Sequence, residues 1–151
     1  MAGPQPLRPQ PLRLRVEDAD DVKVVSAALQ DAIAKVGDIS YEPAARRLTI
    51  ALNRFRWEGP QRARGGQRIR AALQIGSILK VQARRIRRDP KDAVVQLLSV
   101  DFTPAEAPGG LLLLSFAGGA DLRVQVECLD AVLADVSQPW PTPRAPRHDV
   151  D

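Results

Sequence analysis

The residues of this chain with the clearest chemical potential are arginines interleaved with aromatic side chains. Arg54 and Arg56 alternate with Phe55 and Trp57. Guanidinium groups bind phosphate oxygens and aromatic rings stack on bases, so the pattern is typical of proteins that bind single-stranded nucleic acid. The candidate nucleic-acid residues form a first arginine cluster (Arg54, Arg56, Arg62, Arg64, Arg68 and Arg70) and a second arginine cluster (Arg84, Arg85, Arg87 and Arg88). The two clusters make one cationic surface if their strands are neighbours.

The same arginines also fit a solvated face that is partly neutralised by salt bridges. The net charge is +4 and the pI about 9.8, which is compatible with phosphate binding but does not establish it. Of the 22 basic residues only four are lysines, and coding bias explains such an arginine preference equally well. Both interpretations therefore stay open at this point.

Other residue types give little support for catalysis. His148 is the only histidine and Cys128 the only cysteine, so the ligand clusters of zinc, copper and iron sites cannot be assembled from this chain alone. We expect Cys128 to be a buried structural residue where the last helix begins. No set of nucleophile, base and orienting group can be proposed, which favours binding over enzymatic activity. We expect no metal and no cofactor.

Size and composition indicate one globular domain in a reducing compartment. The chain has 151 residues, of which 44% are apolar and 26% charged. Its longest uninterrupted apolar runs are four residues, such as 111–114, far below the roughly 20 residues that cross a bilayer. A single cysteine forms no internal disulfide, and a proline-rich beginning does not fit a signal peptide. We therefore predict a cytoplasmic location and no membrane association.

Prolines divide the chain into a body and two ends. Eight of the 13 prolines lie in residues 1–11 and 138–151, where they favour extended, hydrated chain. We predict that both ends are disordered tails and that residues 12–137 form a single α+β domain.

The body begins with a strand and a helix. Leu12, Leu14 and Val16 alternate with polar residues, which predicts a short strand. Apolar residues at helical spacing from Val22 to Val36 follow an acidic cluster that suits a helix start, and Gly37 is placed to end this helix. The members of the pattern and of the acidic cluster are Val22, Val25, Leu29, Ala32, Ile33, Val36, Asp18, Asp20 and Asp21.

After Gly37 the apolar period becomes two, which predicts an antiparallel meander. Its seven strands are expected at residues 38–42, 47–58, 68–75, 79–86, 94–102, 111–117 and 121–126. In the second of these, a β-bulge near Asn53–Arg54 would turn Phe55 and Trp57 into the core. Two hairpins with three-residue loops are expected, the first pairing Ile75 with Leu79, Leu73 with Val81 and Ala71 with Ala83, and the second pairing Phe116 with Leu122, Leu114 with Val124 and Leu112 with Val126.

The last element is predicted to be a short amphipathic helix. Leu129, Val132, Leu133 and Val136 recur at helical spacing. Seven meander strands followed by a helix that closes one end are the element order of a pleckstrin-homology-like split barrel. We therefore expect this barrel, with an N-terminal helix and a C-terminal capping helix.

Two segments carry a resemblance to a known family. They are residues 48–58, Leu-Thr-Ile-Ala-Leu-Asn-Arg-Phe-Arg-Trp-Glu, and residues 116–136, which contain a Gly-Gly turn followed by Val-Glu-Cys-Leu-Asp-Ala-Val-Leu-Ala-Asp-Val. The chain resembles a small alphaproteobacterial family that is classed only as a domain of unknown function. The resemblance spans about residues 12–140 and implies no activity and no site residues.

Three functional hypotheses follow from the sequence. A non-enzymatic binding or adaptor module with a protein partner is favoured, because split barrels commonly present a groove to peptides, an argument by analogy of fold. An RNA- or DNA-associated protein that uses the arginine clusters is the alternative. An enzyme of unidentified class is the third.

Overall fold

Residues 11–58 and 65–143 are described by a computed structural model, and they form mainly antiparallel β-sheet. The strands are β1 (Arg13–Val16), β2 (Ile33–Lys35), β3 (Ile39–Glu42), β4 (Arg47–Phe55), β5 (Gly66–Ile75), β6 (Ile78–Arg84), β7 (Val94–Pro104), β8 (Gly110–Phe116), β9 (Asp121–Val126), β10 (Ala131–Asp135) and β11 (Trp140–Thr142). One α-helix, α1 (Ala19–Leu29), and two 3-10 turns (Val36–Asp38 and Ala117–Gly119) complete the described elements.

The eleven strands form one sheet whose order differs from the order in the chain. Its path runs β1-β10-β5-β4-β2-β7-β8-β9-β6, with β3 paired to β4 and β11 paired to β5. Strands from the beginning and the end of the chain therefore lie side by side. In particular, β10 lies between β1 and β5 and forms antiparallel pairs with both.

Helix α1 lies inside the curve of this sheet. The Asp18 side chain caps its first turn by accepting a hydrogen bond from the Asp21 amide at 2.8 Å. Val22, Val25 and Leu29 form its buried face. The helix packs against β1, β4 and β7, which are far apart in the strand order, so the sheet curves around it.

A single hydrophobic core fills the space between the helix and the sheet. It receives alternate residues of the long strands, as the two-residue period of a strand requires. Its members with no more than 2% exposure include Leu29, Leu48, Leu52, Ala71, Leu114, Val124 and Leu133. The outward-facing residues of these strands are thus the ones available for a site.

The predicted fold class is wrong. All seven meander strands exist, as β3 to β9, but they belong to an eleven-stranded sheet rather than to a split barrel. The meander breaks at β6, which pairs with β9 instead of β5 or β7. The described part of the chain is mostly antiparallel sheet with one α-helix, and the predicted α+β class with two terminal helices does not describe it.

The predicted C-terminal helix is a strand. Leu129, Val132, Leu133 and Val136 have helical spacing, yet Ala131–Asp135 forms β10. The residues Ala131, Leu133 and Asp135 also alternate, and a short apolar segment fits both periods. Pairing with β1 on one side and β5 on the other provides hydrogen-bond partners for the backbone of this segment, so it forms a strand rather than a helix.

The N-terminal helix exists but ends eight residues before Gly37. It stops at Leu29, and Asp31 adopts a left-handed backbone with φ of 64°. The next residues form β2, which pairs with β4 and β7. Apolar residues that continue the helical pattern thus serve the sheet.

The two predicted hairpins fail in different ways. The first does not form: Leu79 is 54% exposed, because β5 turns away from β6 at Gly76 and Ser77. The second exists with a register two residues away, in which Leu114 faces Leu122. Its loop has the predicted three residues but lies one residue earlier, at Ala117–Gly119, since the Phe116 amide donates to the Ala120 carbonyl across the 3-10 turn. A shift of two keeps each apolar side chain on the expected face.

The predicted β-bulge is also wrong. The pairing of β4 with β5 continues without a break from Leu48 to Phe55. Arg54 therefore takes the inward position that follows Leu52, and Phe55 lies on the opposite face. Because Arg54 itself is buried on the inward face, the strand keeps its regular alternation through Arg54 without an extra residue.

Two further expectations concern the chain ends and membranes. Residues 1–10 and 144–151 of the predicted tails lie outside the described residues. Within the second proline-rich end, Trp140–Thr142 forms β11 on β5. In the described ranges, no helix has the length and apolarity needed to cross a bilayer.

Candidate functional site

Arg54, the first candidate of the arginine clusters, is buried in an ion-pair network. Its side chain is 1% exposed, and so is the side chain of Asp135. Arg54 Nε and Nη2 donate to the two carboxylate oxygens of Asp135 at 2.8 and 2.9 Å, a bidentate pair. Nη1 donates to both carboxylate oxygens of Glu58 at 2.9 and 3.1 Å. The guanidinium therefore joins β4 to β10 and has no surface for a phosphate.

The charge of Arg54 is maintained by these partners. Burial by itself lowers the pKa of a guanidinium, but the hydrogen bonds and charges of Asp135 and Glu58 outweigh it and raise the pKa of Arg54 above its ordinary value. Asp135 Oδ2 also accepts the Leu12 amide at 2.8 Å. The network thus ties β1, β4 and β10 together.

The other described members of the first cluster also have partners. Arg56 donates to Gln67 at 2.5 Å. Arg68 donates to the Asn53 carbonyl at 3.2 Å, and burial lowers its pKa against a smaller opposing effect of the Asp31 charge. Arg70 donates to Asp38 at 3.0 Å and to Asn53. Arg62 and Arg64 lie outside the described residues.

The aromatic residues beside this cluster are held in place by the protein. The Phe55 and Trp57 rings meet edge to face with centroids 4.5 Å apart. Phe55 is fully buried, and the Trp57 indole donates to the Gln30 carbonyl at 3.2 Å. Phe55 therefore has no open face for base stacking, whereas Trp57 is partly exposed.

The second arginine cluster lies at the end of β6 and in the loop that follows. Arg84 is 4.0 Å from Asp121. Arg85, Arg87 and Arg88 are exposed, and none of them forms a hydrogen bond or ion pair with another described residue. Because β5 and β6 do not pair, the condition that would join the two clusters through neighbouring strands is not met.

A third group of arginines lies on the outer face of the sheet, opposite the core. Register and alternation define two rows across β1, β10, β5 and β4. One row is Arg15, Val132, Gln74 and Thr49, and the next is Arg13, Ala134, Ala72 and Ala51. A depression lies between the arginines of β1 and those at the beginning of β4, and Val132 and Gln74 of the first row line it.

This depression is a cavity of about 540 Å³, which we call the outer-face cavity. Four arginines line it, Arg13 and Arg15 from β1 and Arg46 and Arg47 from the start of β4. Its lining also includes Gln74, Ser77 and one carboxylate, Asp130. Three of the four guanidinium groups also pair with carboxylates beside the cavity, so the described lining offers an anion several guanidinium donors rather than a large net positive charge.

The rim of the outer-face cavity is fixed by backbone hydrogen bonds. Arg46 and Ile78 are joined twice, by the Ile78 amide to the Arg46 carbonyl at 3.2 Å and by Arg46 Nε to the Ile78 carbonyl at 3.0 Å. The Gly76 amide donates to the Asp130 carbonyl at 2.7 Å. A Cβ at Gly76 would lie 2.7 Å from a carboxylate oxygen of Asp130, so a larger residue here would make that side chain shift.

Two rim residues hold a strained backbone. Arg46 and Ser77 both have φ of 54°, in the left-handed region that costs an L-residue energy. Such strain accumulates where a structure needs a particular side-chain direction. Both residues lie in turns that form part of the rim, Arg46 between β3 and β4 and Ser77 between β5 and β6.

The lining arginines differ in how far they are neutralised. Arg13 makes no ion pair with any residue in the described ranges, and Arg15 meets Glu17 at 3.3 Å in a well-exposed pair. Arg46 pairs with Glu127 at 2.8 Å, and Arg47 with Glu42 at 3.3 Å. Arg47 Nε is buried and donates to no described acceptor. The cavity thus retains donors that a bound anion can satisfy.

Sequence reasoning missed this group because its members are far apart in the chain. The alternation of Arg13 and Arg15 with Leu12, Leu14 and Val16 does show that the two arginines share the outer face of β1. What no local pattern shows is that β10 and β5 lie between them and β4.

The remaining chemical candidates do not form a site. Cys128 lies in the β9–β10 loop, partly exposed, and not at the start of a helix as predicted. His148 lies outside the described residues. Among the residues with described positions, no group of three or more His, Cys, Asp or Glu side chains could hold a metal ion.

Comparison with known proteins places the chain in a family. The model of the family described as "Protein of unknown function (DUF2948)" matches residues 12–148, which is most of the chain, and the chain therefore belongs to it. The expected resemblance to a family classed as a domain of unknown function is confirmed. Searches of the curated proteins and of the solved structures found no match.

Proposed function

We propose that this member of the DUF2948 family is a non-enzymatic, cytoplasmic binding module that holds a multiply charged anion in the outer-face cavity. The observation that carries the proposal is the convergence on one cavity of four arginines from β1 and from the beginning of β4 and its preceding turn, of which Arg13 has no ion-pair partner among the described residues. The cavity volume lies in the range of small-ligand sites.

The chemistry of the lining favours binding over catalysis. Guanidinium groups stay protonated and positively charged at physiological pH, so they bind anionic groups but do not act as proton donors or bases in catalysis. The Ser77 hydroxyl, the one candidate nucleophile in the lining, donates to Asp130 at 3.2 Å. Its position on a hydrogen-bonded turn makes it part of the rim.

Inorganic pyrophosphate tests the proposal, because it presents two linked phosphate groups and nothing else. Titration at low salt, followed by calorimetry, should show binding that weakens as salt rises. Arg13→Gln with Arg15→Gln should lower the affinity by about tenfold or more, equivalent to about 1.4 kcal/mol.

Arg123→Gln provides the matched control. Arg123 is also a half-exposed strand arginine beside a carboxylate, Asp121, but it lies on β9 and outside the cavity. Its replacement should change the affinity less than about twofold. Absence of binding at low salt, or equal losses in the paired variant and the control, would refute an anion site at this cavity.

Nucleic-acid association is the second candidate function, and it is supported by one observation. Arg85, Arg87 and Arg88 are exposed and have no described partner. A mixed-sequence single-stranded oligonucleotide should then bind with a log–log salt slope of about −0.7 per phosphate contact. Replacing the three arginines by glutamine should reduce both affinity and slope, whereas Arg123→Gln should change neither. An unchanged slope would rule out this cluster as the contact surface.

A further inference from the structure

A second cavity, of about 460 Å³, lies beside the loop that connects β6 to β7. We call it the side cavity. One wall is the loop itself, with Arg85 and Arg87, and the opposite walls come from β2, the beginning of β7 and the turn between β8 and β9. It shares no lining residue with the outer-face cavity.

The lining of the side cavity is apolar apart from its cations and one amide. Ile33, Val36, Val94 and Ala117 contribute hydrophobic surface. Val94 is 60% exposed, which is high for a valine in a strand and leaves apolar surface open to solvent. No carboxylate is present among the described lining residues, and the Gln96 amide is directed to Asp31 at 2.8 Å.

The two arginines of the side cavity have no side-chain partner within the described ranges. Neither Arg85 nor Arg87 forms a hydrogen bond or ion pair with any residue whose position is described. Arg85 has a left-handed backbone, with φ of 56°, and a Cβ added at Gly119 would lie 3.0 Å from its Nη1. The strained residue thus brings its guanidinium over the β8–β9 turn, at the edge of the cavity.

The far end of the loop that carries these arginines is attached to the 3-10 turn after β2. The Val36 amide donates to the Ala93 carbonyl at 2.8 Å, and the Gly37 amide donates to the Lys91 carbonyl at 2.8 Å. These hydrogen bonds hold the Ala93 side of the cavity against Val36.

From this combination we infer that the side cavity binds a small organic acid that has an apolar body and one anionic group. The hydrophobic walls would take the body, and Arg85 and Arg87 would take the carboxylate, sulfonate or phosphate. This inference is independent of the anion site proposed for the outer-face cavity, which is polar and has four arginines.

The fluorescent probe 1-anilinonaphthalene-8-sulfonate has the required chemistry, an aromatic body with one sulfonate. Titration of the full chain should give saturable fluorescence that a branched aliphatic carboxylate displaces. Arg85→Gln with Arg87→Gln should weaken probe binding by about tenfold or more. Val94→Ser should also weaken it, because the wall loses apolar contact.

Two control variants distinguish binding at the side cavity from non-specific binding of the probe. Leu98→Ser removes another exposed apolar side chain of β7, which is 41% exposed. Arg88→Gln removes another exposed arginine of the β6–β7 loop. Neither residue lines the side cavity. Both controls should leave the affinity within about twofold. Because all of these side chains are partly or fully exposed, the variants should keep the urea midpoint of the unaltered chain.

Each other outcome overturns the inference. Equal weakening by Val94→Ser and Leu98→Ser would mean that the probe adheres to exposed apolar surface. Loss on changing the arginines with no effect of Val94→Ser would mean that the site holds charge only, as a phosphate backbone would require. Binding that is unaffected by Arg85→Gln with Arg87→Gln would place the probe elsewhere.

Discussion

Changing Asp135 to Asn isolates the charge of the buried network while it preserves the shape of the side chain. Arg54 would remain inside the protein, 1% exposed, with Nε and Nη2 still facing residue 135. An amide carries no charge, and its NH₂ group cannot accept a hydrogen bond. One of the two contacts, at 2.8 and 2.9 Å, must therefore be lost and the other weakened.

The cost follows from the burial of both partners. A hydrogen bond to a charged group contributes about 1.5–3 kcal/mol, and removing one partner of a buried ion pair costs about 3–5 kcal/mol because the other charge stays behind. Glu58 still holds Nη1 at 2.9 Å, but its side chain is 44% exposed and compensates only in part. We expect a loss of about 3 kcal/mol or more for Asp135→Asn, a large share of the 5–15 kcal/mol typical of a domain.

Urea denaturation followed by tryptophan fluorescence measures this loss, since Trp57 lies three residues from Arg54. Glu42→Gln is the matched control: it removes the carboxylate of the Arg47–Glu42 pair, which spans 3.3 Å with side chains 43% and 51% exposed. Water screens that pair, so the control should cost less than about 1 kcal/mol.

A double-mutant cycle decides whether the loss comes from the pair. Arg54→Met removes the cation, and the variant that combines it with Asp135→Asn should be markedly less destabilised than the two single losses added together. Strict additivity would show that the Arg54–Asp135 pair does not contribute to the free energy of unfolding. A cost for Asp135→Asn no greater than that of Glu42→Gln would show the same.

Three further predictions use the same unfolding assay or a thiol reagent. Alanine at Gly118 or Gly119, whose φ angles are 82° and 80°, should cost about 1–2 kcal/mol each, and a neutral result would contradict the turn geometry. Leu114→Ala at a fully buried position should cost about 2–5 kcal/mol, whereas Leu79→Ala, 54% exposed, should cost less than about 0.5 kcal/mol, and similar costs would contradict the strand order. Cys128, partly exposed in a loop, should react with a thiol reagent in the native state, and reaction only after unfolding would contradict its position.

The sequence predicts local elements of this fold well. The acidic cluster before α1 indicates the helix start, and Asp18 does cap it. Alternation of apolar residues locates all seven strands from β3 to β9. These features depend on contacts between near neighbours in the chain, which is why a single sequence contains them.

The strand order could not be predicted because it depends on distant partners. β10 is a strand only because β1 and β5 flank it, and β5 begins some 60 residues before β10 and β1 some 50 residues before β5. The same is true of the outer-face cavity, whose arginines belong to β1 and to the start of β4. The sequence-based site contained arginines two positions apart, such as Arg54 and Arg56, which share a face of a strand. Their outward position relied on a β-bulge that would turn Phe55 and Trp57 inward, and the continuous pairing of β4 with β5 contains no such bulge.

Arg54 shows why the count of basic residues overstates the positive surface of this protein. It continues the inward series of Leu48, Ile50 and Leu52, so its parity alone places it in the core. A cation can occupy such a position only with a carboxylate, which Asp135 supplies from β10. The pI of about 9.8 counts this arginine together with Arg13 and Arg85, although only the latter two lack described acceptors. A ligand responds to unpaired guanidinium groups, and among the described residues Arg13 lines the outer-face cavity and Arg85 and Arg87 line the side cavity without such a partner.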